Sequence, residues 1–195
     1  MTYLSIVPWI LIACWAALVL TWVVTAFGVK RDINRSAWWR FWWVRIILVG
    51  VVASLVANGL LRGRVLYLVG FVSPISGNVP LIVLAVALCF FGIALAIWAR
   101  LHLGRNWSPA PALKEEHELV TSGPYRLIRH PIYTGIILAM LGSALASPAW
   151  LVVLVIFTVM FVWRVHVEEK LMMQQFPDTY PQYKKRTWAL VPYVW

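Results

Sequence analysis

The chain has 195 residues, of which 62% are hydrophobic and 12% are charged, and its mean hydropathy is +0.80. Soluble domains are about 45–50% apolar, so this excess excludes a soluble globular protein and predicts an integral membrane protein. The net charge of +10 would suggest a nucleic-acid partner in a soluble protein. Here the basic residues lie at the ends of apolar runs, where membrane lipids account for them, and we expect no nucleic-acid binding.

The apolar runs predict an all-α integral membrane fold with five transmembrane helices. A spanning helix needs ~20 mainly apolar residues. Three long runs and a shorter pair around Ser147-Pro148 fit this requirement, namely residues 3–27, 41–61, 79–99, 132–146 and 150–165. Residues 64–77 are apolar but too short to span alone. If they are re-entrant the count is five, and if they join a further span the count is six, which is the alternative.

The placement of charge predicts the orientation of these helices. With five spans, Arg62 and Arg64 fall on one side, and the other 15 of the 17 lysines and arginines fall on the opposite side. This bias makes the basic side cytoplasmic and places the N-terminus outside. All seven acidic residues and all four histidines share the cytoplasmic side, where the 100–131 connector and the 166–195 tail are large enough to form a small cap. We expect a bacterial inner membrane, because the chain is compact and carries no retention or peroxisomal address.

Several kinds of catalytic site are absent from the sequence. It contains no HExxH, CxxC, P-loop or nucleophile-elbow motif, and no GxGxxG motif that would support a Rossmann-type cofactor site. The four histidines form no i, i+4 pair, and Cys14 and Cys89 lie in separate apolar runs. We therefore expect no metal site, and cysteines that behave as small buried hydrophobic residues.

One polar motif precedes the fourth predicted helix, with the sequence GPYRLIRHPIYTG from Gly123 to Gly135. Its Pro131 is typical of the first turn of a helix, whose free N–H groups attract an anion. Arg126, Arg129 and His130 add donors just before that turn. The alternative is that these residues only anchor the helix at the membrane surface.

A second polar cluster, RVHVEEK, follows Trp163 at the end of the last predicted helix. Arg164 and Glu168 are four residues apart and therefore share one helix face. Ionisable groups at membrane depth are costly and are usually functional or paired. The cluster predicts either half of a mixed-charge pocket at the membrane surface or a structural salt bridge.

Together the two clusters resemble the isoprenylcysteine carboxyl methyltransferase family, which includes related phospholipid methyltransferases. The resemblance is carried by RHPxYxG, by LGRNWS before it, and by the paired glutamates with the sequence around Tyr180 and Tyr183. It covers about residues 98–192. It implies one membrane domain, 1–195, in which residues 79–195 form the cofactor-binding and catalytic half and residues 1–78 carry no recognisable motif.

The resemblance also implies the site residues of an S-adenosylmethionine-dependent methyltransferase. Arg164 and Glu168 are the expected catalytic pair. The expected cofactor-binding residues are Val120, Tyr125, Arg129, His130, Pro131, Tyr133, Gly135, Glu168 and Glu169. Those expected to close the pocket around the substrate are Asn106, Trp107, Tyr180 and Tyr183.

The expected acceptor is a lipophilic or lipid-anchored molecule, and the resemblance favours the carboxylate of an isoprenylated cysteine. A carboxylate is already ionised at neutral pH, so its methylation requires positioning and exclusion of water rather than a general base. A phospholipid amine or a small thiol is the alternative acceptor, and it would give Glu168, Glu169 or His130 the role of a base. A membrane carrier is a further alternative, but transporters place their polar groups at the membrane midplane.

Small residues recur along the fourth predicted helix at Gly135, Ala139, Gly142 and Ala146. They predict either a lateral opening through which a lipid acceptor enters, or close packing against another helix.

Overall fold

The computed structural model describes residues 6–25, 78–107, 118–148 and 150–193. These residues form five α-helices and no strand: α1 (Val7–Thr25), α2 (Val79–Leu103), α3 (Pro131–Ala146), α4 (Trp150–Gln175) and α5 (Tyr180–Arg186). α1, α2 and α4 are long and apolar enough to cross a membrane, and α3 is a shorter apolar helix. The all-α membrane fold is therefore confirmed. The predicted span 41–61 and the segment 64–77 lie outside the described residues.

The helix boundaries follow local sequence signals, except at the end of α4. Asn78 caps α2 by accepting a hydrogen bond from the backbone N of Leu81 at 3.2 Å, and Pro131 opens α3. The predicted span ends at residue 165, yet α4 continues to Gln175. A hydropathy run ends where lipid contact ends, whereas the backbone hydrogen bonds of a helix continue until a residue such as Pro177 interrupts them.

Small residues allow the backbones of α2 and α3 to come into direct contact. A Cβ atom on Gly135 would lie 2.5 Å from the carbonyl oxygen of Gly92, and one on Gly142 would meet the carbonyl oxygen of Ala85. Ala139 is fully buried in the same contact. The small residues of α3 therefore pack against α2, so the lateral-opening alternative at these positions is wrong.

α1 runs parallel to α2 along the same bundle. Leu11 and Leu18 of α1 share a buried cluster with Ala85 and Ile93 of α2, and both helices end at the point where Arg100 Nη2 donates to the carbonyl of Thr25 at 2.7 Å. The five-span prediction requires this parallel arrangement of its first and third spans. The number of spans and their orientation stay predictions.

A small cap covers the ends of α2, α3 and α4. Residues 118–130 and the tail after α4 meet through one parallel bridge between Ile128 and Trp188. The backbone N of Arg129 donates to the carbonyl of Trp188 at 2.8 Å, and that of His130 donates to the carbonyl of Ala189 at 3.1 Å. The predicted cap thus forms from the described part of the connector and the tail, and it fixes the polar motif at the start of α3.

Candidate active site

A cavity of about 140 Å³ lies between the cap and the ends of the helices. Ten of the residues expected at the site line it: Asn106, Trp107, Val120, Tyr125, Arg129, His130, Tyr133, Glu168, Tyr180 and Tyr183. Apolar residues that the motifs do not single out, including Leu171 and Met172, complete the wall.

Four expected site residues do not line this cavity. Pro131 is buried in the first turn of α3, and Gly135 is occupied by its contact with α2. Arg164 and Glu169 stand behind the wall and bind residues that do line it. The structure therefore brings the two halves of the resemblance together, while these four residues lie outside the cavity wall.

Glu168 is the centre of the polar network that reaches the cavity. Its Oε1 accepts a hydrogen bond from Tyr133 Oη at 2.6 Å and from Arg164 Nε at 2.7 Å. Its Oε2 lies 3.4 Å from His130 Nδ1. The predicted i, i+4 pair of Arg164 and Glu168 is thus an observed ion pair that also holds two residues of α3 and its cap.

Glu169 holds the cap rather than the cavity. Its Oε1 accepts from Arg129 Nε at 2.7 Å, and its Oε2 accepts from Lys184 Nζ at 2.5 Å. Arg129 Nη1 in turn donates to the carbonyls of Lys184 and Thr187. Successive residues of a helix point about 100° apart, which is why neighbouring glutamates serve two different sets of partners.

His130 lies between the two glutamates, and its environment favours the imidazolium. Burial alone lowers the pKa of His130, but the negative charges of Glu168 and Glu169 beside its ring outweigh burial and raise the pKa above the usual value. Its Nε2 is 3.8 Å from Glu169 Oε1, which is too long for a hydrogen bond. Among the described residues this buried nitrogen has no hydrogen-bond partner, so a donor remains for a ligand in the cavity.

Stacked rings fix the side of the cavity that is formed by the start of α3 and by α4. His130 and Tyr133 are parallel with centroids 5.6 Å apart, and Tyr133 stacks on Phe161 at 4.7 Å. The guanidinium carbon of Arg164 lies 5.6 Å from the centre of the Tyr133 ring. These contacts hold the Tyr133 hydroxyl on Glu168 and limit its freedom.

Tyrosines close the opposite side of the cavity as neutral phenols. Tyr183 Oη donates to the carbonyl of Tyr125 at 2.6 Å, and Tyr125 Oη donates to the carbonyl of Ala99 at 3.3 Å. Burial raises the pKa of Tyr183 to about 12 and the pKa values of Tyr125 and Tyr180 further. At neutral pH these side chains supply ring surface and hydrogen bonds but no charge.

The wall combines the groups that a charged, aromatic cofactor requires. His130 Nε2 and Asn106 Oδ1 are buried, and neither has a hydrogen-bond partner among the described residues. Glu168 supplies negative charge, and five aromatic residues of the wall supply ring faces, namely Trp107, Tyr125, Tyr133, Tyr180 and Tyr183. No group of three or more His, Cys, Asp or Glu side chains in the described part of the chain is arranged to hold a metal ion.

Sequence reasoning missed two parts of this site. The backbone carbonyls of the tail, at Lys184 and Thr187, bind Arg129, and no side-chain motif could reveal them. Arg100 was also missed, because it directly follows the predicted span 79–99 and looks like an ordinary basic residue at a helix end. Its guanidinium carbon lies 4.4 Å from the centre of the Trp107 ring in the cavity wall.

Comparison with known proteins matches the region that builds the cavity. A family model described as phospholipid methyltransferase matches residues 80–179. The chain is 28% identical over 168 residues, or 83% of its length, to protein-S-isoprenylcysteine O-methyltransferase of Schizosaccharomyces pombe. It is 30% identical over 155 residues, or 76% of its length, to cobalt-zinc-cadmium resistance protein CzcN of Cupriavidus metallidurans.

A shorter match is found with a third relative. The chain is 32% identical over 69 residues, or 35% of its length, to methanethiol S-methyltransferase 1 of Bradyrhizobium diazoefficiens. The aligned regions span 69%, 63% and 24% of these three relatives. The chain therefore matches less than two thirds of the length of the second and third relatives.

Proposed function

The chain belongs to the phospholipid methyltransferase family, and on that premise we propose that it is an S-adenosylmethionine-dependent methyltransferase of the membrane. Its proposed acceptor is the carboxylate of a lipophilic molecule, most simply an isoprenylated cysteine. The catalytic half is residues 79–195, and the cavity faces the cytoplasm of a bacterial inner membrane. The fission yeast relative is named for this reaction, which supports the acceptor class.

The cavity wall fits the methyl donor by its chemistry. When bound, S-adenosylmethionine supplies an electrophilic methyl group on a sulfonium. His130 Nε2 and the N-terminal turn of α3 offer positive charge to a carboxylate, and Glu168 offers negative charge to an ammonium. Tyr125 and Tyr183 offer ring faces to an adenine or a cation. Arg129 also lines the cavity, and it is held there because its Nε and Nη1 bind Glu169 and the tail.

The chain's own residues position the acceptor and exclude water. Arg164 and Tyr133 are held on Glu168 at the membrane end of the cavity. An arginine in this position orients a carboxylate beside the cavity, and the stacked rings of Tyr133 and Phe161 keep water from the reacting atoms. Proximity and dehydration are the contributions expected for a displacement that needs no general base.

One observation favours a carboxylate over a thiol or an amine acceptor. The three groups that could remove a proton already have partners: Glu168 and Glu169 are ion-paired, and the charge of both glutamates raises the pKa of His130 and so favours its protonated form. A thiol or amine must lose a proton, whereas a carboxylate has none to lose. The name of the Bradyrhizobium relative keeps a small thiol as the second candidate.

The test is methyl transfer by the full chain in detergent, with a labelled methyl group on S-adenosylmethionine. Acceptors are N-acetyl-S-farnesylcysteine, phosphatidylethanolamine and methanethiol. We expect label in the farnesylcysteine that mild base releases as methanol, as an ester requires. Label that remains in the thiol or amine product after base treatment would overturn the proposal of a carboxylate acceptor. Binding of the methyl donor without transfer to any acceptor would favour the carrier alternative.

Glu168→Gln is the matched loss-of-function variant, because it keeps the size of the side chain and removes its charge. Val155→Ala on the exposed face of α4 is the control, and it should transfer methyl groups at the parent rate.

A further inference from the structure

Arg100 is an almost completely buried cation near the end of α2, with 1% of its surface exposed. Its Nη1 donates to the carbonyl of Gly104 at 2.9 Å, and its Nη2 donates to the carbonyl of Thr25 at 2.7 Å. Among the described residues its partners are backbone carbonyls and a ring, rather than a carboxylate. A buried arginine with such partners is costly unless it holds several elements in place.

Both of these carbonyls belong to helix ends. Thr25 is the last residue of α1, and Gly104 is the cap residue that follows α2. The last carbonyls of a helix lack intrahelical donors and carry partial negative charge, so a cation between two such ends stabilises both. Arg100 therefore joins α1 to α2 at the level of the cap.

The same guanidinium lies against the cavity wall. Its central carbon is 4.4 Å from the centre of the Trp107 ring, and Trp107 lines the cavity beside Asn106. Trp22 of α1 meets the Trp107 ring edge-to-face at 6.3 Å. Trp107 is thus held from one side by Arg100 and from another by Trp22 of α1, and α1 lies outside the region that the family model matches.

We infer that Arg100 is a positioning residue for the methyl-donor site, acting through Trp107. It fixes the turn from Gly104 to Trp107 and makes α1 a structural part of the cavity. The inference rests on the proposed function only in the identity of the ligand. The arrangement of Arg100, Trp107 and Trp22 is a claim about the protein itself.

The first test reads the position of Trp107 without any ligand. The full chain is labelled with 5-fluorotryptophan, and the ¹⁹F resonances of Trp107, Trp22 and Trp15 are assigned by replacing each with Phe. Arg100→Lys keeps the charge but loses the planar fork and its contact with the ring. We expect it to shift or broaden the Trp107 and Trp22 resonances and to leave that of Trp15 unchanged. An unchanged Trp107 resonance, or an equal change at all three, would overturn the inference.

The second test measures the Kd of S-adenosylhomocysteine, a stable product analogue, by calorimetry in detergent. Arg100→Met should raise this Kd roughly tenfold, because without the cation–π contact Trp107 would spend only about a tenth of its time in the binding-competent position, and Arg100→Lys should raise it by a smaller factor. The matched control is Trp15→Leu, which lies in α1 like Trp22. It removes the stacking of Trp15 on Trp150 and the hydrogen bond of Trp15 to Ser143. It should lower Tm and leave the Kd of the folded protein unchanged.

A double-mutant cycle separates positioning from general stability. If Arg100 acts through Trp107, Arg100→Met should change the Kd less than twofold in a Trp107→Leu background. The same factor in both backgrounds would overturn the inference, as would a lower Tm with an unchanged Kd. If the parent fails to bind S-adenosylhomocysteine, the proposed function fails, and the ¹⁹F result alone decides the role of Arg100.

Discussion

α3 takes part in two regions that are built in opposite ways. Along its length, Gly135 and Gly142 meet α2 at backbone distance without any charged group. At its first turn, His130 and Tyr133 join an ionic network with Glu168, Arg164 and the cap. The α2–α3 contact depends on the absence of side chains, whereas the site depends on particular side chains and their charges. Stability and activity should therefore respond to different substitutions on one helix.

The largest effect is expected from filling the α2–α3 contact. Gly135→Leu would place its Cβ 2.5 Å from the carbonyl oxygen of Gly92, and the backbones must separate to admit it. We expect loss of about 3 kcal/mol or more, seen as aggregation in size-exclusion chromatography and little folded protein. The control is Val155→Leu on the exposed face of α4. A monodisperse Gly135→Leu protein with the parent Tm would contradict the contact.

Neighbouring glutamates provide the next comparison. Glu169→Gln removes the negative charge that pairs with Arg129 and Lys184. Breaking a buried ion pair lowers the free energy of unfolding by about 3–5 kcal/mol. Because Lys184 is half-exposed, solvent screens its interaction with Glu169, and we therefore expect a loss at the lower end of this range. The measurement is thermal unfolding in detergent, with Lys170→Gln as the exposed control on the same helix. A Tm equal to that of the parent would show that the cap does not depend on Glu169.

Arg164→Lys should separate activity from stability at the site. Lysine keeps the charge beside Glu168 but cannot present the planar fork to an acceptor carboxylate. We expect kcat for the farnesylcysteine acceptor to fall about 100-fold, which corresponds to about 2.7 kcal/mol, while Tm and the Kd of S-adenosylhomocysteine stay near the parent values. Retention of most of the activity would favour a structural salt bridge alone.

The smallest effect is a pH dependence that arises from His130. Its folded pKa is raised by Glu168 and Glu169 despite burial. Its contribution to stability is therefore fully present below the unfolded value of about 6.5 and is lost as the pH rises through the folded pKa. Thermal unfolding between pH 6 and pH 10 should show His130→Asn most destabilised at the acidic end and approaching the parent at the alkaline end. A difference that does not vary with pH would exclude a protonated His130.

Local signals were sufficient for most of the helices, whereas the family resemblance supplied most of the cavity wall. Hydropathy predicted α1, α2 and α3 to within a few residues, Pro131 marked the start of α3, and the spacing of Arg164 and Glu168 predicted their ion pair. These features depend on residues close in sequence or on the solvent that surrounds a helix, and both can be read from one chain. The motif resemblance added the pairing of RHPxYxG with the two glutamates.

Only the tertiary structure decided which partner each residue meets. Gly135 was expected at the cofactor site and instead packs on Gly92, because the closest neighbour of a small residue depends on which helix lies beside it. Glu168 and Glu169 are adjacent in sequence, yet they point in different directions from the helix, so that Glu168 faces the cavity and Glu169 binds the cap. Arg100 looks like an ordinary basic residue at a helix end until Thr25, 75 positions away in the chain, is placed beside it. The sequence by itself determined the membrane helices and the chemistry available at one end of them. The fold determined which polar residues face the cavity and which hold the cap in place, because contacts between distant segments produce no periodic pattern in the sequence.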